Sequence, residues 1–298
     1  MTKYGIIGFP LGHSFSRSFF TEKFAREGID AQYLNFEIPD ATMLLDVLRD
    51  NPGLRGLNVT LPHKQAVIPL LDELSDEARE IGAVNVIKIN PPQPSLKGRE
   101  LRSATSPFSL PLREGWGGSL KGFNSDIIGF SDSIRPLLQP HHKKALVLGT
   151  GGASKAICVG LKRLGLEWTY VSRKAEAPSP LPLWGSAAVS EDSNEQKHSP
   201  KGGAGRGLLA YSDLTPEVMK EYTVIVNCTP VGMFPKVDEA PAIPYQYLTP
   251  RHLLFDCVYN PEDTLFMQKG REQGATVKNG LEMLHLQAVA SWRFWNGD

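Results

Sequence analysis

Short apolar runs alternate with amphipathic segments along most of the chain. In the first half, five runs have the length and composition of β-strands, and three segments between them show helical spacing with Ser or Asp near their first residues. We predict strands at 3–8, 31–37, 54–60, 83–89 and 119–123, and helices at 16–27, 40–49 and 75–81. This alternation predicts an α/β fold with a mostly parallel sheet.

A second series of the same kind begins near residue 144. It predicts strands at 144–149, 168–172, 223–228, 252–259 and 275–278, with a helix at about 152–164 after the first of them. The Pro- and His-containing segment 136–143 separates the two series. We therefore predict two α/β domains, one of residues 1–138 joined by a C-terminal helix at 281–298, and one of residues 139–280.

Two stretches, 90–118 and 174–207, break the alternation. Both are rich in Pro, Ser and Gly and show little periodicity, as in PPQPSLKGRE and EDSNEQKHSPKGGAGRG. Segments of this composition bury too little apolar area to offset the entropy lost on ordering, so we predict surface loops or insertions.

Charge and cysteine content narrow the class of partner. The 298 residues contain 32 Lys plus Arg and 32 Asp plus Glu without a long basic run, so the basic surface that nucleic acids and anionic membranes require is missing. Cys158, Cys228 and Cys257 are widely spaced within apolar segments, which suits buried thiols in a reducing compartment and neither a disulfide framework nor a zinc site. We predict a small-molecule partner and no metal.

The N-terminal sequence MTKYGIIGFP reaches Gly and Pro after too few apolar residues for a signal peptide, and no later run is long enough to span a bilayer. We therefore predict a cytoplasmic protein. The sequence leaves open whether it is a monomer or a homodimer.

A glycine-rich turn predicts a dinucleotide site in the second domain. The strand 145–148 enters GTGGASKA, residues 149–156, and an apolar helix follows. Gly149 and Gly151 lack a Cβ, which permits a tight turn and a close approach to a pyrophosphate. The N–H groups of the first helical turn, which contains Gly152 and Ala153, would face the phosphate oxygens. A plain strand-to-helix connection is the alternative.

The end of the next strand bears on the choice of cofactor. Ser172, Arg173 and Lys174 stand where an NAD site has an Asp or Glu for the ribose hydroxyls. A planar guanidinium can grip a 2′-phosphate or stack on adenine, so this strand end favours NADP over NAD. A solvated basic pair that opens a loop is the alternative.

The strand 224–227 and the segment CTPVGM after it form a third candidate element. Asn227 and Thr229 lie at the predicted carboxyl edge of the sheet, where nucleotides bind in open α/β folds. Taken singly, the two residues are better explained as caps of the strand.

Polar side chains collect at the predicted strand ends of the first domain. They are Ser14, Ser16, Asn58, Thr60, Lys64, Asn85, Asn124 and Asp126. Each has an ordinary structural explanation, such as a helix N-cap for Ser or Asp and a satisfied core amide for Asn85. Together they predict a pocket rich in hydroxyl and amide groups with one Lys and one Asp, which suits a polyhydroxylated ring acid.

These motifs resemble the shikimate dehydrogenase family. GFPLGHSFS, NVTLPHK, GAVN, GFNSD, GTGGASKA, NCTPVGM, FDCVYNPEDT and GLEMLHLQA occur in the family order, and the resemblance covers nearly the whole chain outside the two low-complexity stretches. It implies an N-terminal α/β substrate domain, a C-terminal Rossmann-like NADP-binding domain and an active site in the cleft between them. It also implies the reversible reduction of 3-dehydroshikimate to shikimate with NADPH, in the pathway to chorismate and the aromatic amino acids.

The resemblance implies roles for individual residues. Lys64 and Asp126 are the implied catalytic pair, because oxidation of an alcohol needs a group that holds and releases the hydroxyl proton. With Asn58 added from the strand-end pattern, the expected substrate contacts are Ser14, Ser16, Asn58, Thr60, Lys64, Asn85, Asn124, Asp126, Tyr259 and Gln287, with Tyr259 near the substrate carboxylate. The expected cofactor contacts are Gly149, Gly151, Gly152, Ala153, Ser172, Arg173, Lys174, Asn227, Thr229, Cys257, Gly280 and Met283.

Alternatives stay open at this stage. Met283 is implied to lie beside the nicotinamide, but its spacing fits ordinary core packing equally well. The chain could be a quinate/shikimate dehydrogenase that uses NAD or NADP, or a non-catalytic nucleotide-sensing protein on the same fold. Ser125, Ser172 and Cys257 are small departures from the family pattern, whereas the insertion after Lys174 lies next to the expected 2′-phosphate site.

Overall fold

The computed structural model describes residues 1–11, 15–91, 118–173 and 207–297, which form two compact units. Unit 1 contains Met1–Ser125 and Gln287–Asp298, and unit 2 contains Asp126–Leu286. The predicted boundaries, after residues 138 and 280, differ from this division. The reason is that the helix after residue 126 and the start of the last helix pack into the core of unit 2.

Unit 1 is built on a six-stranded sheet. Its strands are β1 (Thr2–Gly8), β2 (Ala31–Glu37), β3 (Leu54–Val59), β4 (Glu73–Leu74), β5 (Val86–Asn90) and β6 (Ser119–Phe123), and its helices are α1 (Phe15–Glu27), α2 (Leu44–Asp50), α3 (His63–Ala66) and α4 (Asp76–Ile81). The strand order is β2-β1-β3-β5-β6-β4. β1 is parallel to β2 and β3, and β4 is parallel to β6, whereas β5 runs antiparallel to both of its neighbours. The sheet is thus mostly parallel, as predicted, with β5 as the exception.

An aromatic cluster joins the two chain segments of unit 1. Tyr4 of β1 and Phe20 of α1 pack with Trp295 from the C-terminal segment, and the rings of Tyr4 and Trp295 stack at 4.9 Å between centroids. The indole Nε1 donates a hydrogen bond to the Ile87 carbonyl oxygen at 3.1 Å. A Cβ on Gly56 would overlap the same indole, so the bare backbone there makes room for the ring. The C-terminal segment therefore completes the core of unit 1.

Unit 2 contains a six-stranded parallel sheet. Its strands are β7 (Lys144–Leu148), β8 (Glu167–Ser172), β9 (Gly207–Ala210), β10 (Val224–Asn227), β11 (Leu253–Asp256) and β12 (Thr276–Lys278), and its helices are α5 (Asp126–Ile134), α6 (Gly152–Arg163), α7 (Pro216–Glu221), α8 (Leu265–Glu272) and the start of α9 (Leu281–Asn296). The strand order is β12-β11-β10-β7-β8-β9. This is the doubly wound order of a Rossmann-like domain, and it reverses between β7 and β10. The predicted fold class is confirmed.

Helix α5 belongs to unit 2 because of its packing. Phe130 is fully buried and meets the ring of Phe255 edge-on at 5.1 Å between centroids. On α6, a Cβ at Gly160 would come within 2.8 Å of the Phe130 ring, so the two helices approach closely at that glycine. The sequence-based seam at 136–143 therefore follows a helix that is already part of the second unit.

Most predicted elements are present, with ends shifted by a few residues. The strands at 31–37 and 119–123 have the predicted bounds, and the helix predicted from residue 75 begins at Asp76 because Ser75 is its N-cap, with its side chain accepting from the Ala78 N–H. The helix predicted from residue 40 begins at Leu44, after a 3₁₀ turn at Ala41–Met43. The strand predicted from residue 83 begins at Val86, because the backbone of residues 84 and 85 is bonded to Lys64 and Phe123.

The sequence reading missed several short elements, namely α3, β4, β9, α7 and α8. They contain between two and eight residues, too few for a periodic pattern to be decisive. Apart from their ends, the two low-complexity stretches fall outside the described residues. Among the helices of the described ranges, none combines the length and the apolar character needed to cross a membrane.

Candidate active site

A braced turn from β3 into α3 carries Thr60 and Lys64. The Thr60 N–H donates to the Ile7 carbonyl at 3.0 Å, and the His63 N–H donates to the Thr60 carbonyl at 2.9 Å. His63 is buried, and its Nε2 lies 2.6 Å from the Ile38 carbonyl oxygen. Lys64 follows His63 on the helix and is half-buried. Backbone and ring contacts thus fix the position from which the Lys64 side chain starts.

The turn before β5 is bonded to this segment. The Val59 N–H donates to the Asn85 carbonyl at 2.8 Å, and the Val84 N–H donates to the Lys64 carbonyl at 2.7 Å. The Asn85 N–H donates to the Phe123 carbonyl at 3.0 Å. Because β5 is antiparallel to β3 and β6, its start lies beside their carboxyl ends. The structure therefore brings Lys64, Asn85 and the end of β6 to one end of the unit 1 sheet.

The segment after β6 carries Asn124 and Asp126, both almost fully buried. Asn124 Nδ2 donates to the Ala83 carbonyl at 3.0 Å. The Ser125 N–H and hydroxyl donate to Asn85 Oδ1 at 2.7 and 3.3 Å. The two predicted substrate amides thus also shape the local turn. Asp126 is the first residue of α5, where the chain enters unit 2.

A hydrogen-bonded chain that the sequence did not reveal passes through Asn58. The Tyr33 hydroxyl donates to Asn58 Oδ1 at 2.8 Å, and Asn58 Nδ2 donates to Ser291 Oγ at 2.9 Å. Ser291 Oγ donates in turn to the Gln287 carbonyl at 2.8 Å. Burial raises the pKa of Tyr33 well above its usual value, against the opposing effect of a hydrogen bond with Ser16. Asn58 therefore has a structural role, since its amide connects β2, β3 and α9.

Tyr33 and Ser291 could not be found by motif or spacing. They are separated by most of the chain, and neither lies in a polar strand-end motif. Of the remaining predicted substrate residues, Gln287 is half-buried on α9 in unit 1, and Tyr259 is 40% exposed in unit 2. Ser14 lies outside the described residues.

Unit 2 contains a pocket of about 980 Å³ at the carboxyl ends of β7, β8 and β10. The strand order reverses between β7 and β10, so the pocket lies where nucleotides bind in doubly wound folds. Its volume is in the upper part of the range of small-molecule sites. The predicted cofactor residues that line it are Gly149, Gly151, Ser172, Arg173 and Thr229.

The turn between β7 and α6 has the geometry of a phosphate-binding turn. Gly149 has φ +95°, and a Cβ on it would lie 2.8 Å from Thr229 Cγ2, so a side chain is excluded on two grounds. Gly151 is the N-cap of α6, and Gly152 and Ala153 are its first residues. Free N–H groups and the helix dipole favour an anion at this end of a 12-residue helix.

Arg173 lies at the pocket with Tyr211, which the sequence reading missed. Burial raises the pKa of the Tyr211 phenol, and the charge of Arg173 acts in the opposite direction. Glu239 also lines the pocket and forms an ion pair with Lys236 at 3.7 Å. Like Tyr211, it lies in no sequence motif that would have indicated a place in the pocket. Lys174 lies outside the described residues.

Asn227 braces the loop after β10. Asn227 Oδ1 accepts from the Thr229 N–H at 3.0 Å and from the Thr229 hydroxyl at 2.6 Å, and Thr229 Oγ1 accepts from the Val231 N–H at 3.3 Å. Asn227 is fully buried, and its Nδ2 donates to Asp256 Oδ1 at 2.9 Å. Asn227 thus lies behind the pocket wall that Thr229 and Val231 form.

The last three predicted cofactor residues lie near the end of β11 and the start of α9. Cys257 Sγ is 3.9 Å from the Sγ of Cys228, and both thiols are free. Gly280 has no room for a Cβ, which would overlap the Cys257 carbonyl oxygen. Met283 is buried in an apolar cluster of unit 2. It therefore has the core packing that was one of the two interpretations of its spacing.

Comparison with known proteins bears on both units. A family model described as the shikimate dehydrogenase substrate binding domain matches residues 6–87. The shikimate dehydrogenase (NADP(+)) of Desulforamulus reducens is 32% identical over 297 residues, which covers 98% of this chain and 89% of that protein. The chain belongs to the shikimate dehydrogenase family.

Further relatives of the shikimate dehydrogenase family agree with this assignment. The enzyme of the same name from Nostoc is 33% identical over 301 residues, with 98% of this chain and 89% of that protein covered. A crystal structure of shikimate dehydrogenase from Aquifex aeolicus superposes with a TM-score of 0.71 and 28% identity, and covers 100% of this chain and 93% of that one. The family resemblance derived from the motifs is confirmed.

Proposed function

We propose that the protein is an NADP-dependent shikimate dehydrogenase that reversibly reduces 3-dehydroshikimate to shikimate, in the pathway to chorismate and the aromatic amino acids. The observation that carries the proposal is the 32% identity with the Desulforamulus reducens enzyme over 98% of the chain. This match extends through both units, so it includes the polar end of the unit 1 sheet and the pocket of unit 2.

The pocket of unit 2 fits NADP. The N-terminus of α6 offers N–H groups to a pyrophosphate, and Gly149 lets the backbone approach closely. Arg173 supplies a cation for a 2′-phosphate at the end of β8. When bound, NADPH supplies the hydride that adds to the carbonyl carbon of the substrate.

Lys64 and Asp126 are the proposed catalytic residues. Reduction of a ketone turns its oxygen into a hydroxyl, so a proton must reach that oxygen as hydride adds to carbon. The Lys64 ammonium is the proposed donor, and in the reverse direction its amine accepts the proton. The almost fully buried Asp126 is the proposed partner that orients the ammonium or shares the proton transfer.

Hydroxyl and amide groups are proposed to recognise the substrate ring. They belong to Ser14, Ser16, Thr60, Asn85, Asn124 and Gln287, with Tyr259 near the carboxylate. Both Asn85 and Asn124 are held in fixed orientations by bonds within unit 1, which lowers the entropy lost when a polar ligand binds.

The proposal includes a cytoplasmic protein that is a monomer or a homodimer. The free thiols of Cys228 and Cys257, 3.9 Å apart, fit a reducing compartment. Size-exclusion chromatography with light scattering measures the oligomeric state.

A direct assay tests the proposed activity. The purified protein is mixed with shikimate and NADP, and NADPH formation is followed by absorbance. Parallel reactions replace shikimate with quinate and NADP with NAD. We expect the shikimate and NADP pair to give the highest kcat/KM.

Each other outcome selects a different function. Faster turnover of quinate with NAD would favour the quinate/shikimate dehydrogenase alternative. Binding of NADP without turnover of either alcohol would favour a nucleotide sensor, and absence of both binding and turnover would reject the proposal.

A further inference from the structure

Asp256 is a fully buried carboxylate at the end of β11 that the proposed reaction does not use. Three neutral donors converge on it. Asn227 Nδ2 and the Val258 N–H donate to Oδ1 at 2.9 and 3.0 Å, and the Thr264 hydroxyl donates to Oδ2 at 2.7 Å. These donors come from the end of β10, the loop after β11 and the N-cap of α8. A buried carboxylate that collects donors from three segments fixes their relative positions.

The contact with Asp256 also helps to fix the orientation of the Asn227 amide, whose Nδ2 donates to Asp256 Oδ1 at 2.9 Å and to the Val231 carbonyl at 3.4 Å. An ionised carboxylate only accepts hydrogen bonds, so Asn227 must present its NH₂ group to Asp256. Its carbonyl oxygen then faces the other way, toward the N–H and hydroxyl of Thr229. A neutral partner at position 256 that both donates and accepts would no longer impose this choice.

The loop held in this way is a wall of the dinucleotide pocket. Thr229, Pro230 and Val231 all line the pocket, and the Thr229 methyl group occupies the space beside Gly149 that a side chain there would need. The link therefore runs from Asp256 through the Asn227 amide to Thr229 and Val231.

We propose that Asp256 is a positioning residue for dinucleotide binding: its carboxylate orients the Asn227 amide, and the amide holds the Thr229–Val231 wall in the form that accepts NADP. The proposal rests on the proposed function only for the identity of the dinucleotide. Its structural part concerns this chain alone and is measurable without ligand.

Hydrogen exchange on the ligand-free protein tests the structural part. Asp256→Asn removes the acceptor-only carboxylate and keeps the size of the side chain. We expect the amides of Thr229 and Val231 to exchange faster in this variant. Asp263→Asn is the matched control, because Asp263 is a half-exposed carboxylate that pairs with Arg271 at 3.0 Å on the same segment. The control should leave the exchange of the 228–232 segment unchanged.

Binding and kinetics test the functional part. We expect Asp256→Asn to raise the dissociation constant and the KM for NADP about tenfold, which corresponds to the loss of about one hydrogen bond. The kcat at saturating NADP and the KM for shikimate should stay close to the wild-type values. A general loss of folding would instead lower kcat or the fraction of active protein.

Further variants separate this link from a general weakening of the fold. Thr264→Val removes one donor to Asp256 and the side-chain cap of α8 but leaves the contact between Asp256 and Asn227. It should therefore lower the stability of the fold without raising the dissociation constant for NADP. Asn227→Ala should weaken NADP binding as much as Asp256→Asn does. It replaces Asp256→Asn as the test variant if the latter does not fold. Because Asp256→Asn and Asn227→Ala disrupt the same hydrogen bond, the double variant should bind NADP only slightly more weakly than either single variant.

Three results would overturn the proposal: unchanged exchange at 228–232, an unchanged dissociation constant for NADP, or additive losses in the double variant. Failure of the proposed function gives a different signature, namely a wild-type protein that does not turn over shikimate while the exchange at Thr229 and Val231 still responds to Asp256→Asn.

Discussion

Lys64 is the residue on which the proposed chemistry depends most. Its backbone is held by the bond from the Val84 N–H and by the buried ring of His63 before it. We expect Lys64→Ala to lower kcat by about 10²- to 10⁴-fold, the usual contribution of a proton-transferring group, with a modest change in the KM for shikimate. Steady-state kinetics at saturating NADP measure both constants.

Lys121→Ala is the control for this change, because Lys121 is a half-exposed lysine of unit 1 that pairs with Glu73 at 3.1 Å. Its kinetics should match the wild type. Near-normal kcat in Lys64→Ala would remove Lys64 from the mechanism.

Arg173 is expected to select between the two dinucleotides. Replacement by Asp removes a charge-assisted contact with the 2′-phosphate and places a second negative charge near it. The dissociation constant for NADPH should therefore rise about tenfold to a hundredfold, and that for NADH far less. Fluorescence titration with each dinucleotide gives the dissociation constants. Arg135→Asp is a charge-matched control on the exposed face of unit 2. Equal losses for NADPH and NADH would contradict a phosphate contact.

Asp256 predicts a pH dependence of stability. Burial raises its pKa from 3.8 to about 6, and the bonds from Thr264, Val258 and Asn227 lower it in part. Between these pH values the folded protein holds a proton that the unfolded chain has lost, so stability falls as pH rises from about 4 to 6. Burial raises the pKa of Tyr245, and a hydrogen bond with Cys257 together with burial raises the pKa of Cys228. The charge of Asp256 adds to both shifts, and both groups stay neutral in this window.

Urea unfolding of wild type and Asp256→Asn at pH 4 and pH 7 measures this effect. The wild type should lose about 2 kcal/mol relative to the variant over this interval, since one pKa unit corresponds to about 1.4 kcal/mol and the unfolded carboxyl is already partly ionised at pH 4. The comparison between the two proteins cancels the titration of other groups. A constant difference between them would show that the carboxyl titrates normally.

At the scale of elements, helix α6 offers a matched pair of glycines. Gly149 before the helix and Gly165 after it have φ +95° and +77°, so Ala at either position costs about 1–2 kcal/mol of strain. A Cβ at Gly165 meets nothing within 4 Å, whereas at Gly149 it meets Thr229. We expect both Ala variants to lose stability and only Gly149→Ala to lose NADP binding. Thermal melts and NADPH titration of both variants check this, and equal NADP affinity would contradict a phosphate-binding turn.

The sequence predicted the long elements because their patterns are strong. The strand at 145–148 is continuously apolar and followed by glycines, and both features correspond to a buried parallel strand that ends at a phosphate-binding turn. Helix α3 and strand β9 are too short for periodicity, and they depend on contacts with distant parts of the chain. The start of β5 was misplaced because the bonds of residues 83–85 go to Lys64 and Phe123, which no local pattern indicates.

At the scale of the molecule, the motifs predicted the family and the α/β class. They could not indicate that Asn58 bonds with Tyr33 and Ser291, or that Asp256 holds Asn227, because these partners are far apart in sequence. Side chains that bind a ligand and side chains that brace a turn are drawn from the same polar types. The catalytic roles of Lys64 and Asp126 therefore stay predictions until variants are measured.

The division of the chain predicts the effect of a truncation. Unit 1 obtains Ala288 and Trp295 from its C-terminal segment, whereas the pocket of unit 2 is made from residues before Leu286. A chain that ends at Leu286 should retain NADPH binding but lose shikimate turnover, because removal of a buried Trp alone costs about 3–5 kcal/mol. NADPH fluorescence and hydrogen exchange of β1 and β3 measure the two effects. Full activity of the truncated protein would contradict this.

The slot that Gly56 leaves for Trp295 also has a consequence during synthesis on the ribosome. Every described strand of unit 1 has been translated by residue 125, yet the indole that fills its aromatic cluster is translated only at residue 295. At typical translation rates this interval is on the order of ten seconds or more. During this interval the aromatic cluster of the nascent unit 1 lacks its indole, so we expect the core of unit 1 to be completed only after residue 295 has been translated.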